Sequence, residues 1–236
     1  MLARKVISTV AIAGGLLVAP ALPSQAAPSG GCPYPPHRPV LTMTVSPTTV
    51  SGAQAASVFG SFKQNNCGIG NGKIHVQSRP LVNGRPAGSW KTFTVVTTDK
   101  NGLWKTTYQP GQNVRVRAFF NKLGKYPTTF SSVRSLLDAI RITKRVTTLS
   151  GCQIHLTGTT TPVKANRKVF IQSRGPKGQF QGWTTIGSTK TDNKGKYATT
   201  AAADCATTYN LSTFIYGDSH NQAGRSGTTF GIKPHK

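Results

Sequence analysis

Lys73-Ile74-His75-Val76-Gln77-Ser78-Arg79 and Lys168-Val169-Phe170-Ile171-Gln172-Ser173-Arg174 are one strand pattern written twice, 95 residues apart. Two further landmarks return at an offset of 93: Trp90 as Trp183, and Asp99-Lys100-Asn101-Gly102 as Asp192-Asn193-Lys194-Gly195. A period this long exceeds the roughly 20–50 residues of solenoid repeats and suits a complete small domain with its own core. Within each copy the residues alternate. Ile74 and Val76 point one way, His75 and Gln77 the other, and Val169 and Ile171 repeat this with Phe170 in place of His75. Later, Val114, Val116 and Ala118 alternate with Arg115 and Arg117, matching Tyr209, Leu211 and Thr213 against Asn210 and Ser212. A half-buried sheet with one wet face follows. Thr, Ser, Val and Ile crowd these segments, and Gly and Pro interrupt them too often for long helices.

The Asp-x-x-Gly pairs read as β-turns in which Gly takes the left-handed conformation. A calcium loop needs several oxygen ligands, and each of these offers one carboxylate. Trp90 and Trp183 precede the strands expected over Lys91 to Thr97 and Thr184 to Thr189, and each is expected to cover one end of its own core. The aromatic after the turn is Trp104 in the first unit and Tyr197 in the second, a swap that suits packing.

Charge is the second strong signal. The chain carries 29 Lys plus Arg against five acids and a formal net charge of +24. All five acids are Asp. Residues 27–133 hold twelve basic groups and Asp99; residues 139–236 hold fourteen with Asp192, Asp204 and Asp218, so each half nets +11. Arg134 and Asp138 between them cancel. Such a field attracts polyanions: wall teichoic acid, acidic polysaccharide, anionic headgroups or nucleic acid.

The first residues place Arg4 and Lys5 before an apolar run from Val6 to Val18, then Ser24-Gln25-Ala26. This is the pattern of a secretory signal peptide cleaved after Ala26. The run is too short, and too broken by Gly14, Gly15 and Pro20, for a membrane anchor of about 20 apolar residues. No later segment is apolar enough to span, so stable membrane insertion is not expected. An exported chain with four cysteines points to disulfides. Three pairings are possible, and the duplication favours Cys32 with Cys67 and Cys152 with Cys205. The cysteines are too dispersed for a zinc knuckle, and the five histidines show no close ligand spacing, so no metal and no cofactor is expected.

Leu41-Thr42-Met43-Thr44-Val45-Ser46-Pro47-Thr48-Thr49-Val50-Ser51-Gly52, then Val58-Phe59-Gly60, a Lys-led strand, a Trp and an Asp-x-x-Gly turn resemble the immunoglobulin-like repeats of bacterial secreted and cell-surface proteins. Leu156-Thr157-Gly158, Trp183, Asp192 to Tyr197 and Tyr209 to Asp218 resemble the same pattern. Asn121-Lys122-Leu123-Gly124 departs from it, as does the missing Ser-Pro-Thr motif of the second unit. The resemblance implies Greek-key β-sandwiches serving as spacer, adhesion or binding modules, and supplies no catalytic residues.

The expected organisation is all-β: a signal peptide (1–26), an N-terminal segment (27–39), one immunoglobulin-like sandwich (40–133), a connector (134–138) that continues one unit into the next, and a second sandwich (139–236). Catalysis finds little footing. Five Asp spread over two repeated units do not suit paired-carboxylate glycoside chemistry, and no nucleophile elbow or metalloprotease helix appears. Asp218-Ser219-His220 has the residue types of a triad but reads as a polar turn. Candidate binding residues for an anionic partner are Arg115, Arg117, Lys122 and Lys125 in the first unit and Lys190, Lys194 and Lys196 in the second. The reading is a secreted, monomeric, non-enzymatic protein associating with anionic envelope or extracellular polymers. The alternative is a protein-directed effector, such as a protease inhibitor or antimicrobial factor, presenting a loop such as Pro176 to Gly182 or Gly217 to Ser226 to an extracellular protein.

Overall fold

A computed structural model of the chain describes residues 38–174 and 182–236; among these it is built of strands, with no helix. The first unit comprises β1 (Val40–Leu41), β2 (Thr44–Ser46), β3 (Thr49–Ser51), β4 (Ala56–Gln64), β5 (Cys67–Gly68), β6 (Lys73–Val82), β7 (Arg85–Pro86), β8 (Lys91–Thr97), β9 (Leu103–Tyr108), β10 (Val114–Phe120), β11 (Thr129–Phe130) and β12 (Arg134–Ala139). The second comprises β13 (Arg141–Leu149), β14 (Gln153–Thr161), β15 (Lys168–Arg174), β16 (Thr184–Lys190), β17 (Lys196–Ala202), β18 (Tyr209–Ile215), β19 (Gly224–Arg225) and β20 (Thr229–Ile232). The signal peptide, the 27–37 segment and Cys32 lie outside the described residues, as does most of the Pro176 to Gly182 loop.

Each unit is an immunoglobulin-like Greek-key sandwich. In the first, β4 lies between β2 and β9, while β6 and β10 form the centre of the opposite sheet with β8 and β12 at their flanks. The leading strand switches sheets: β2 pairs antiparallel with β4, and β3 pairs parallel with β12. In the second, β13-β14-β17 face β16-β15-β18-β19, with β20 also on β18. The connections from β4 to β6 and from β8 to β9, and their counterparts, cross between sheets, as in immunoglobulin-like topologies.

Alternation builds the cores. Ile74, Val76, Val116, Ala118 and Phe120 are buried against Phe62, Val58 and Trp104. Val169, Ile171, Leu211 and Ile215 do the same against Ile154, Leu156 and Tyr197. Both turns form as read: the Asp99 carboxylate accepts the Asn101 and Leu103 N–H groups, that of Asp192 accepts those of Lys194 and Lys196, and Gly102 and Gly195 have φ of +73° and +71°. Cys152 is bonded to Cys205, and Cys67 is disulfide-bonded.

Two features depart from the sequence reading. Trp90 and Trp183 do not cap their cores; they lie half-buried on the outside of the sheets, where each covers an arginine. Trp104 and Tyr197 hold the core positions instead. Ser212, placed on a wet face by alternation, is fully buried because its hydroxyl bonds the Ser226 carbonyl at 3.0 Å. The 134–138 segment, read as a connector continuing one unit into the next, lies in strand β12, paired with β10 and β3.

The two units meet at a hydrogen-bonded junction. The turn from Asp218 to Gln222 docks on the first unit: the Ser219 carbonyl accepts from Asn83 N (2.8 Å), that of His220 from Asn113 N (2.6 Å), and Gln222 N donates to Asp138 O (2.9 Å). Asn221 donates to the Asp138 carboxylate at 2.9 Å, and Lys164 pairs with Asp218 at 2.7 Å. The Asp218-Ser219-His220 turn is thus structural. The Asp218 carboxylate faces Lys164 and the His220 and Asn221 N–H groups, while the His220 ring contacts Ser219. This places the Asp218 to Gln222 part of the Gly217 to Ser226 loop at the interface between the units.

Candidate binding faces

The register of β6 with β10 sets Arg115 directly opposite Arg79, and Arg117 opposite Gln77. Because Val114, Val116 and Ala118 fill the core, both arginines stand on the outer face. Arg117 Nε donates to Gln77 Oε1 at 2.9 Å, and its guanidinium lies over the Trp90 ring at 4.4 Å and the Phe130 ring at 4.9 Å. Beside it, His75 stacks on Phe119 at 4.7 Å and Phe119 on Phe130 at 5.7 Å. Burial between the rings, and then the neighbouring Arg79, hold the Arg117 pKa below the ordinary guanidinium value. Arg79 Nε is itself buried without a hydrogen-bond partner.

The second unit rebuilds this face from different residues. Ser212 stands where Arg117 does, opposite Gln172, so Gln172 Oε1 is left buried and unpartnered. The guanidinium comes instead from Arg225 on β19, across from Phe214, and lies over Trp183 at 4.6 Å and Phe214 at 5.1 Å. Burial lowers its pKa too. Phe170, Phe214 and Tyr216 cluster edge to face, Tyr216 being 4.9 Å from Phe214 and 5.4 Å from Phe170, and the Lys168 ammonium sits 5.1 Å from the Phe170 ring. Lys168 is directly opposite Lys190.

Each outer sheet therefore carries a cross-strand pair of like charges, Arg79–Arg115 and Lys168–Lys190. Like charges directly opposite destabilise a sheet, and among the described residues no salt bridge joins an acid to either pair, although Asp192 borders the same groove as Lys190. Asp99 and Asp192 cap turns, Asp138 and Asp218 are held in the junction, and Asp204 binds Ala206 N and the Thr207 hydroxyl.

Of the sequence-derived candidates, the structure brings Arg115 and Arg117 together on one face and places Lys190 at the rim of the other. Lys122 and Lys125 are exposed in the loop after β10, with the Lys125 ammonium 5.5 Å from the Tyr126 ring. Lys194 and Lys196 belong to the Asp192 turn and β17 in the opposite sheet, where Lys196 and Lys190 border a shallow groove with Asp192 and Tyr197. Arg79, Lys168 and Arg225 were missed. Arg79 and Lys168 were legible as the ends of the duplicated strand, but Arg225 breaks the repeat offset. Among the described residues, no group of three or more His, Cys, Asp or Glu is placed to hold a metal ion, and no helix is long and apolar enough to cross a membrane.

These features define the class: a tandem pair of immunoglobulin-like sandwiches with cationic, aromatic outer faces. No protein-family model matches the chain, and no curated protein matches it. Among solved structures it is similar to a tetra-tandem repeat in the extending region of a large adhesion protein (17% identity, 80% of this chain, 49% of that chain, TM-score 0.35). It is also similar to a C-terminal 282-residue fragment of intimin in complex with the intimin-binding domain of its translocated receptor (15%, 81% and 64%, TM-score 0.39). A third is a DUF4785 family protein from Legionella pneumophila (12%, 77% and 54%, TM-score 0.44). The chain spans about half the length of the adhesion-protein repeat structure it matches. At these scores the architecture rests on the strands and registers described above.

Proposed function

We propose that this is an exported, non-enzymatic binding protein whose two sandwiches associate electrostatically with anionic polymers of the cell envelope or its surroundings. The observation that carries the reading is the cross-strand like-charge pair on each outer sheet, Arg79–Arg115 and Lys168–Lys190, neither joined to an acid by a salt bridge, on a chain of net charge +24. A polyanion laid across either face supplies the countercharge that the protein lacks, and releases its own bound counterions as it does so. Guanidinium groups favour carboxylate, sulfate and phosphate oxygens by planar, two-point hydrogen bonding. The direct test is retention of the mature protein on isolated cell walls and on a sulfated polysaccharide resin as salt is raised. Tight retention at low salt that falls steeply with ionic strength supports the reading; no retention at low salt, or retention indifferent to salt, overturns it.

A further inference from the structure

Charge alone would need no aromatic rings, yet both outer faces hold the same composite: a guanidinium between a tryptophan and a phenylalanine. In the first unit this is Trp90, Arg117 and Phe130; in the second, Trp183, Arg225 and Phe214. The arginine is supplied by β10 in one copy and by the strand beside its counterpart in the other. The arrangement thus occurs in both units although the residue providing the guanidinium stands on a different strand. Around it lie exposed rings, Phe130 at 53% and Tyr216 at 63% accessibility, and a repeated amide–hydroxyl pair, Gln77 with Thr92 and Gln172 with Thr185.

Resting on the electrostatic reading above, we infer that these two faces recognise an acidic polysaccharide, with sugar rings lying against the exposed aromatic rings and acid groups meeting the stacked guanidinium. A pyranose presents an apolar C–H face and a rim of hydroxyls, so it needs a flat ring, neighbouring polar groups and, when acidic, a cation in one place. The faces provide all three. Single-stranded nucleic acid uses open aromatic plates on which bases stack. Here a face of each tryptophan is already covered by an arginine, and Phe119 is flanked by His75 and Phe130. A polyphosphate would have no use for the rings.

The test measures binding of the mature protein to polygalacturonate, linear polyphosphate and single-stranded oligothymidylate at equal charge concentration and one ionic strength, with tryptophan emission as a second readout. Two double variants accompany it, Phe130→Ala with Tyr216→Ala, and Arg117→Lys with Arg225→Lys, the latter keeping charge while losing the planar fork. The expected result is preference for polygalacturonate over polyphosphate, lost by about tenfold in both variants, with polyphosphate affinity unchanged and thermal unfolding close to that of the parent. Equal affinity for polygalacturonate and polyphosphate, insensitive to the variants, overturns the inference while leaving the electrostatic reading in place. Preference for oligothymidylate that depends on the rings overturns it in favour of nucleic acid. Binding to none of the three overturns both.

Discussion

Gly60 and Gly158 show how one residue ties sequence to packing. Each sits directly opposite the core aromatic of its unit, Trp104 and Tyr197. A Cβ at Gly60 would lie 2.1 Å from the Thr42 carbonyl oxygen, and one at Gly158 would lie 2.0 Å from that of Thr143. The Tyr197 hydroxyl takes advantage of the space, donating to Thr143 O at 2.7 Å. Gly60→Ala or Gly158→Ala is therefore expected to cost about 3 kcal/mol in urea unfolding. Gly227→Ala, where nothing lies within 4 Å of the added atom, should change stability by less than about 0.5 kcal/mol. Asp138 is the other decisive residue. Burial pushes its pKa up to about 6, against the pull of Lys164, Asn221 and Gly52 toward the charged form. The folded state thus binds a proton that the unfolded chain releases near 3.8. This contribution is complete below that value and is lost as pH rises through about 6, about 3 kcal/mol for the full shift and on the order of 2 kcal/mol once solvent screening is allowed for. Asp218 acts in the opposite sense: burial opposes its ionisation, but Lys164 and the His220 and Asn221 N–H groups outweigh it and lower the pKa. Its support is present above the unfolded pKa and fades as pH falls through the folded one. Melting temperature should therefore decline between about pH 4 and pH 6.5 in the parent, and Asp138→Asn should flatten that decline; an identical slope in the variant contradicts the assignment.

At the level of strands and turns, legibility followed how local the determining interaction is. The Asp-x-x-Gly turns and the alternation of β6 and β15 depend on neighbours in sequence, and both formed as read. Ser212 did not, because its burial is decided by Ser226, which follows β19 and is distant in sequence. The tryptophans were misplaced for the same reason: their partners, Arg117 and Arg225, arrive by strand pairing, and the latter from a strand that the repeat offset does not identify. The Cys152–Cys205 bridge closes 53 residues of chain, joining the turn between β13 and β14 to the segment after β17. Restricting a loop of that length in the unfolded state stabilises by about 4 kcal/mol on the chain-entropy account. Cys152→Ser with Cys205→Ser should lower the unfolding midpoint of the second sandwich accordingly, read by calorimetry. A midpoint within a degree or so of the parent's would show that this bridge does not hold the unit together.

For the whole molecule, duplication sets the architecture, and on the proposed reading charge sets the partner chemistry through the two faces. The sequence shows +11 on each half without showing where the charge concentrates. That depends on cross-strand register, which places Arg79 against Arg115 and Lys168 against Lys190. The decisive measurement is the slope of log affinity against log salt for a sulfated polysaccharide, compared between two variants of equal net charge. One neutralises the faces through Arg79→Gln, Arg115→Gln, Lys168→Gln and Lys190→Gln; the other neutralises Lys63, Lys100, Lys105 and Arg145, which belong to the opposite sheets and the Asp99 turn. The face variant is expected to lose affinity and flatten the slope well beyond its control. Equal losses in the two would mean that bulk charge alone attracts the polymer, and would contradict the assignment of binding to the duplicated faces.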